Sequence, residues 1–258
     1  MKENITPVVR TLLILNVGVF LIQTIFEIDI PTLFGLRYFE SKEFAPWQII
    51  TYMFIHGDMM HVASNMLGLF TFGRWIETVL GSQRFLTFYM VCGMGAGILN
   101  SGVLYIEHEM QKNAIIAYSK DANPDTFVQY LEVYEPEYYK KHTTDANNYL
   151  KNRTVATSIK DIKENLENKK NAHIMIGASG AVFGILIAFM LIFPNIEMMM
   201  LFFPMPIKAK YLVSLYIIYE LFAGFGYAGQ SNIAHFAHLG GALVGFLLIR
   251  LWRISKQY

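Results

Sequence analysis

Ile176-Gly177-Ala178-Ser179-Gly180-Ala181-Val182-Phe183-Gly184 sets one hydroxyl among small residues at the head of an apolar run that reaches Pro194. A second stretch, Ala237-His238-Leu239-Gly240-Gly241-Ala242-Leu243-Val244-Gly245, puts an imidazole near the head of another apolar run. A serine hydroxyl is a weak nucleophile until a neighbouring base takes its proton, so Ser179 and His238 are the minimum parts of an activated nucleophile. The glycines have a plainer explanation. Gly180 with Gly184, and Gly241 with Gly245, are small residues four apart, which lets membrane helices approach closely whether or not any chemistry follows.

Composition places these runs in a bilayer. Of 258 residues 54% are hydrophobic and 16% charged, and the mean hydropathy is +0.35. Soluble domains carry about 25% charge. The formal net charge of +1 gives no electrostatic reason to expect a nucleic acid or other polyanion as partner. Cys92 is the only cysteine, which excludes an internal disulfide and a cysteine-rich metal site. Lys2 and Arg10 precede the apolar run from Thr11 to Phe26, but no small-x-small cleavage site closes it. That run reads as a retained anchor.

A spanning helix needs about 20 mostly apolar residues to cross about 30 Å of hydrocarbon. Six segments approach this: Thr11 to Glu27, Asp58 to Val79, Phe85 to Ile106, Ile176 to Pro194, Tyr211 to Ala228 and Asn232 to Trp252. The fold class expected is therefore all-α, a polytopic bundle of six transmembrane helices forming one membrane domain over residues 1–258. Lys2 and Arg10, Arg74 and Arg84, Lys208 and Lys210, and Arg250, Arg253 and Lys256 all fall on one face of such a bundle. Lysine and arginine accumulate on the cytoplasmic side, so both termini are expected there, with Ser179 and His238 toward the outer face.

Two regions are expected outside the spans. Residues 29–57 mix Pro31 and charged groups with Phe44-Ala45-Pro46-Trp47, which suits a partly embedded outer loop with Trp47 at the interface. Residues 107–172 hold 10 Lys and Arg and 11 Asp and Glu, half of all the charges in the chain. This polar insertion between the third and fourth spans belongs in water. Within it Phe127, Leu131 and Tyr134 recur at helical spacing after Asn123-Pro124-Asp125, and Ile159, Ile162 and Leu166 do so after Ser158, predicting two short amphipathic helices.

Polar groups at membrane depth are costly and are kept where they pair or function. His61 and Asn65 lie one turn apart on the second span, and Ser179 and Phe183 share that spacing on the fourth, so each pair points one way. With His238, polar side chains from three spans fall at similar depth. Competing readings are weaker. A nucleophile elbow needs Gly-x-Ser-x-Gly between strand and helix, but position 181 is Ala. Zinc is not expected, because His235 and His238 stand at i and i+3 with no acidic or cysteine ligand close by; His235 reads as structural or interfacial. Arg74 and Glu77 read as an i,i+3 pair that ties down the end of span two, and Asn16 and Asn100 as interhelical hydrogen bonders. Glu220 lies well inside span five with no partner visible in the sequence.

These motifs together resemble the rhomboid family of intramembrane serine proteases, from span one to span six apart from the insertion. Gly177-Ala178-Ser179-Gly180 matches the Gly-x-Ser-Gly of that family, Ala237-His238-Leu239-Gly240-Gly241 its sixth-helix histidine motif, and His61-Val62-Ala63-Ser64-Asn65 its second-helix His-x-x-x-Asn. The resemblance implies Ser179 as nucleophile and His238, rather than His235, as general base. It implies His61 and Asn65 as oxyanion-hole donors and Phe183 as the ring packed against the imidazole. It requires no acidic third member beside the Ser-His dyad, and none is apparent in the sequence; no cofactor and no metal are expected. The implied partners are the lipid bilayer and membrane-protein substrates entering between spans two and five, and the expected location is the bacterial inner membrane. An inactive rhomboid-like protein that binds membrane helices is the rival reading; a transporter would require inverted halves, and none is visible. Trp47 falls at the Trp-Arg pair of the family's first loop, where Gln48 replaces Arg and brings the usual loop anchoring into question.

Overall fold

The computed structural model describes residues 5–121, 123–136, 139–140, 155–200, 203–225 and 233–255. It is mostly helical. Helix α1 (Pro7–Ile25) begins with Pro7 in its first turn, where a missing N–H costs nothing. Its exposed N–H groups are met from elsewhere in the chain: Glu77 accepts from Val8 N at 3.0 Å and Val9 N at 2.9 Å, and from Ser82 Oγ at 2.6 Å. The expected Arg74–Glu77 pair is thereby corrected. A buried carboxylate does more at an orphaned, positively polarised helix start, while Arg74 donates to Phe70 O and lies over the Phe70 ring.

A loop follows, holding short helix α2 (Ile30–Phe34), strand β1 (Leu36–Arg37) and helix α3 (Gln48–Thr51), which tightens into a 3-10 turn at Tyr52–Phe54. Gln48 anchors this loop. Its buried amide accepts from Arg37 N and Ala45 N and donates to Glu43 O, so the substitution that put anchoring in question supplies an anchor of its own. Trp47 is exposed, as an interfacial ring should be.

The second segment is a single rod: α4 (Met59–Gly68), a π-helical turn (Leu69–Gly73) and α5 (Arg74–Leu80). Gly81, at φ 77°, ends it. Helix α6 (Ser82–Lys120) then runs 39 residues, about 58 Å at 1.5 Å per residue. Its first half lies where the third span was expected. Its second half carries on into the segment read as a loop from Glu107, because Ile115 and Tyr118 find apolar cover. That cover comes from α7 (Pro124–Tyr134) and α8 (Val155–Ala172), whose Phe127, Tyr130, Leu131, Ile162 and Leu166 complete a separate small core. Asn123 caps α7, accepting from Asp125 N and Thr126 N while Thr126 Oγ1 accepts from Asn123 N. Both predicted amphipathic helices are present.

Strand β2 (Ile174–Met175) pairs antiparallel with β1, Leu36 opposite Met175 and Arg37 opposite Ile174. Helix α9 (Ser179–Ile192) is shorter than the expected fourth span, starts at Ser179 itself, and is buried along nearly its whole length. A hairpin of β3 (Glu197–Met200) and β4 (Phe203–Lys208) leads to α10 (Ala209–Phe225), and the described chain closes with α11 (Ile233–Leu251). These two small sheets qualify the all-α expectation without altering the helical architecture. Residues 226–232, which include the expected end of the fifth span and start of the sixth, lie outside the described residues.

Helix α9 is the hub, packed against α6 and α11. On length and composition alone, two described helices could cross a membrane, Pro7–Ile25 and Ser82–Lys120; Ser179–Ile192 and His235–Leu251 are shorter apolar helices. The outward faces of α1 and α10 are apolar, with Leu215 66% and Phe222 74% exposed on α10. Apolar patches of that extent are rare on soluble monomers and suit lipid.

Candidate active site

Two helices must come close for Ser179 to meet His238, and the glycines allow it. A Cβ on Gly241 would overlap the carbonyl of Gly180, and one on Gly245 would sit 2.8 Å from Gly184 Cα. Backbone thus meets backbone along the α9–α11 seam. A Cβ on Gly180 would lie 3.5 Å from Ala237 O, so residues 180 and 237 face each other, and the immediate neighbours of that contact are Ser179 and His238. The packing reading of the glycines and the chemical reading of the serine describe one arrangement: the first sets up the second.

Phe183, one turn along α9 from Ser179, lies flat against the His238 ring, with centroids 4.2 Å apart and planes 6° from parallel. Such contact fixes the tilt of the imidazole. Among the described residues no hydrogen bond joins Ser179 to His238, whose Nδ1 is committed to Glu220; catalytic hydrogen bonds often tighten only when substrate is bound.

The chain enters Ser179 through an approach held in place and open to glycine alone. Gly177 has φ 117°, a region that side-chain-bearing residues avoid, and its N–H donates to Tyr52 O at 2.9 Å. Tyr52 in turn donates its hydroxyl to Gly93 O on α6 at 2.7 Å. A Cβ at Gly177 would come within 2.6 Å of His61 Nε2. The imidazole of His61 therefore rests against the backbone two residues before the serine. Asp58 accepts from His61 N at 2.8 Å and starts α4, and Asn65 Nδ2 donates to His61 O at 3.0 Å.

His56, in the loop ahead of α4, stands edge-on to His61 at 4.9 Å. Burial, aided by the neighbouring His61, pushes its pKa down to about 4, so it is neutral. Sequence reading singled out neither His56 nor Tyr52.

Glu220, which the sequence showed inside span five without a partner, finds two. Its Oε2 lies within hydrogen-bond distance of His235 Nδ1, at 2.7 Å, and of His238 Nδ1, at 3.0 Å, and its side chain is 3% exposed. This corrects two expectations: an acidic ligand does lie beside His235 and His238, and an acidic group does touch the imidazole matched to the family base. Glu220, His235 and His238 could together offer a metal three ligand atoms, all within 4.8 Å of one another. Ligands at about 2.0–2.1 Å in tetrahedral geometry sit roughly 3.3 Å apart, wider than the two separations found at Oε2. Those separations are hydrogen-bond lengths.

Comparison with known proteins identifies the family. Residues 43–110 and 155–254 match the rhomboid domain. The chain belongs to the rhomboid family. Between the two matched stretches, the unmatched 111–154 lies inside the polar insertion. Among curated rhomboids, RHOMBOID-like protein 12, mitochondrial, of Arabidopsis thaliana is 28% identical over 240 residues, covering 92% of this chain and 56% of that protein. Rhomboid protease AarA of Providencia stuartii is 24% identical over 254 residues, covering 92% of this chain and 69% of its own length. A shorter match, 29% identical over 103 residues, joins 40% of the chain to 52% of rhomboid protease GlpG of Haemophilus influenzae. As a rhomboid, the chain is an integral membrane protein.

Proposed function

We propose that this rhomboid is an active intramembrane serine protease that hydrolyses peptide bonds in or near transmembrane segments of other membrane proteins. His238 takes the proton of Ser179 as Ser179 Oγ attacks the carbonyl, and returns it to the leaving amine. His61, Asn65 and the backbone N–H of Ser179 hold the oxyanion. The stacking of His238 on Phe183, one turn from Ser179 across the glycine seam, carries this reading. An inactive relative has no use for an imidazole held so firmly beside a serine. The names of the two bacterial relatives, both proteases, support the same conclusion.

The bundle crosses the bilayer six times as one domain, residues 1–258, with 107–172 as an outer insertion and both termini in the cytoplasm. The rod α4–α5 and helix α10 flank the entrance through which substrate arrives from lipid. The inner membrane of a bacterium is the proposed location.

The test is labelling by a fluorophosphonate probe and cleavage of a single-pass membrane protein, comparing the natural chain with Ser179→Ala in native membranes. Labelling and cleavage that both require Ser179 are expected. Cleavage that persists in Ser179→Ala, or a folded natural chain with neither activity, would leave the helix-binding, inactive reading in its place.

A further inference from the structure

We propose that Glu220 is a positioning residue for the general base, making the working unit of this rhomboid Ser179, His238 and Glu220 rather than a dyad; this rests on the protease reading above. Glu220 Oε2 lies 3.0 Å from His238 Nδ1 and 2.7 Å from His235 Nδ1. An ionised carboxylate has lone pairs only, so each imidazole facing it must present N–H at Nδ1. In a neutral ring the proton on Nδ1 leaves Nε2 as the basic nitrogen. Glu220 therefore selects the tautomer of His238 that can accept the Ser179 proton at Nε2, and when that proton arrives, a carboxylate already stands beside the new charge.

The burial of Glu220 argues that the arrangement is built rather than incidental. A carboxylate with 3% of its side chain exposed is costly to desolvate unless it is paired and hydrogen-bonded. Both partners come from α11, at positions 235 and 238, one turn apart on one face. His235 thus has a role that its sequence context hid. It supplies a second N–H to the same oxygen and holds the carboxylate where His238 can use it. Phe183 sets the tilt of the His238 ring through stacking, and Glu220 sets its rotation and its tautomer. The two restraints act at right angles to each other, one on the face of the ring and one on its edge.

The experiment uses the full chain purified in detergent. In the protein with 15N-labelled histidine, nitrogen chemical shifts should report His238 with Nδ1 protonated and Nε2 bare, its signal assigned by its loss in His238→Ala. An Nε2–H tautomer would overturn the proposal whether or not any Glu220 variant folds. Kinetics supply the second arm. Removing the orienting acid from a Ser-His-Asp triad costs about 10⁴ in kcat. Because Phe183 shares the task here, Glu220→Gln should lower kcat by roughly ten- to a thousandfold, with KM within about twofold and an unchanged Tm. Glu220→Asp, which keeps the charge, should recover part of the loss. A purely structural link between α10 and α11 predicts the reverse, a lower Tm with normal kcat, and that result would also sink the proposal. A natural chain without Ser179-dependent cleavage would defeat the protease reading instead, while the tautomer would still report the hold of Glu220 on His238.

Discussion

Asn65 separates catalysis from packing at the scale of one residue. Its Nδ2 carries two protons, and one is spent on His61 O at 3.0 Å; the other is available to a charge that develops only during reaction. Asn65→Ala is therefore expected to reduce kcat by about 10² to 10³, the usual cost of one oxyanion donor, with little change in KM. Loss of a merely structural amide would lower Tm and leave turnover normal in the surviving protein, so single-turnover rates and melting curves on the same sample decide the matter. Ser179, His238, Phe183, His61 and Asn65 could all be put forward from the sequence because each sits in a short motif or one turn from a motif residue. The partners of Glu220 could not. They lie 15 and 18 residues away on the next helix, and which faces of two helices meet depends on their rotation, which no local pattern records. Tyr52 was hidden for a related reason, since its work is done by a carbonyl and a hydroxyl that reach two different elements.

The seam between α9 and α11 is where an element-scale change should do most harm. Gly241→Ala would drive a methyl into the Gly180 backbone, which cannot swing aside as a side chain can. Overpacking costs typically about 1–3 kcal/mol, and this substitution should fall at the upper end or beyond, lowering Tm by several degrees and abolishing cleavage by parting Ser179 from His238. Gly18→Ala and Gly102→Ala are the controls: a Cβ at either meets nothing within 4 Å, and alanine is the better helix former by about 1 kcal/mol. Equal Tm for Gly241→Ala and these controls would show that the helices do not approach as described. Element boundaries were less legible than the seam. The charges of Glu107, His108, Glu109 and Lys112 read as the start of a loop, yet residues 103–123 contain neither glycine nor proline. Nothing in that stretch breaks a helix, and α6 continues to Lys120. The β1–β2 pair escaped notice because two-residue strands leave no alternation to read, and β3–β4 because a run of methionines and a strand holding Pro204 and Pro206 carry no polar-apolar alternation either.

At the scale of the whole molecule, the insertion and the candidate site are joined through one short stretch of chain. The last helix of the insertion, α8, is tied to the first loop: Arg37 Nη1 donates to Asn171 O at 2.7 Å, and Arg37 Nη2 pairs with Glu43 at 2.7 Å. Seven residues beyond α8 the chain reaches Ser179, passing through the β1–β2 pair and the fixed Gly177. His173 lies at this junction, and burial, with His108 and Arg37 nearby, holds its pKa below the ordinary 6.5. The unfolded chain binds this proton more readily than the folded one, so the stabilisation is complete above about 6.5 and is lost as pH falls below it. Protection factors in α8 and β2, which take out the intrinsic slowing of amide exchange at lower pH, should fall between pH 7.5 and 5, and His173→Gln should remove that pH dependence. The small core of Ile115, Tyr118, Phe127, Tyr130, Leu131, Ile162 and Leu166, by contrast, lies wholly within the insertion. Replacing residues 113–168 with a flexible linker removes that core but spares Asn171, Arg37 and the β1–β2 pair. Cleavage of a generic single-pass substrate should then stay within about tenfold of the natural chain, because the restraints on Gly177 and Ser179 come from Tyr52, His61 and the glycine seam. Complete loss of cleavage in a linker variant with unchanged Tm would assign the insertion a part in receiving substrate.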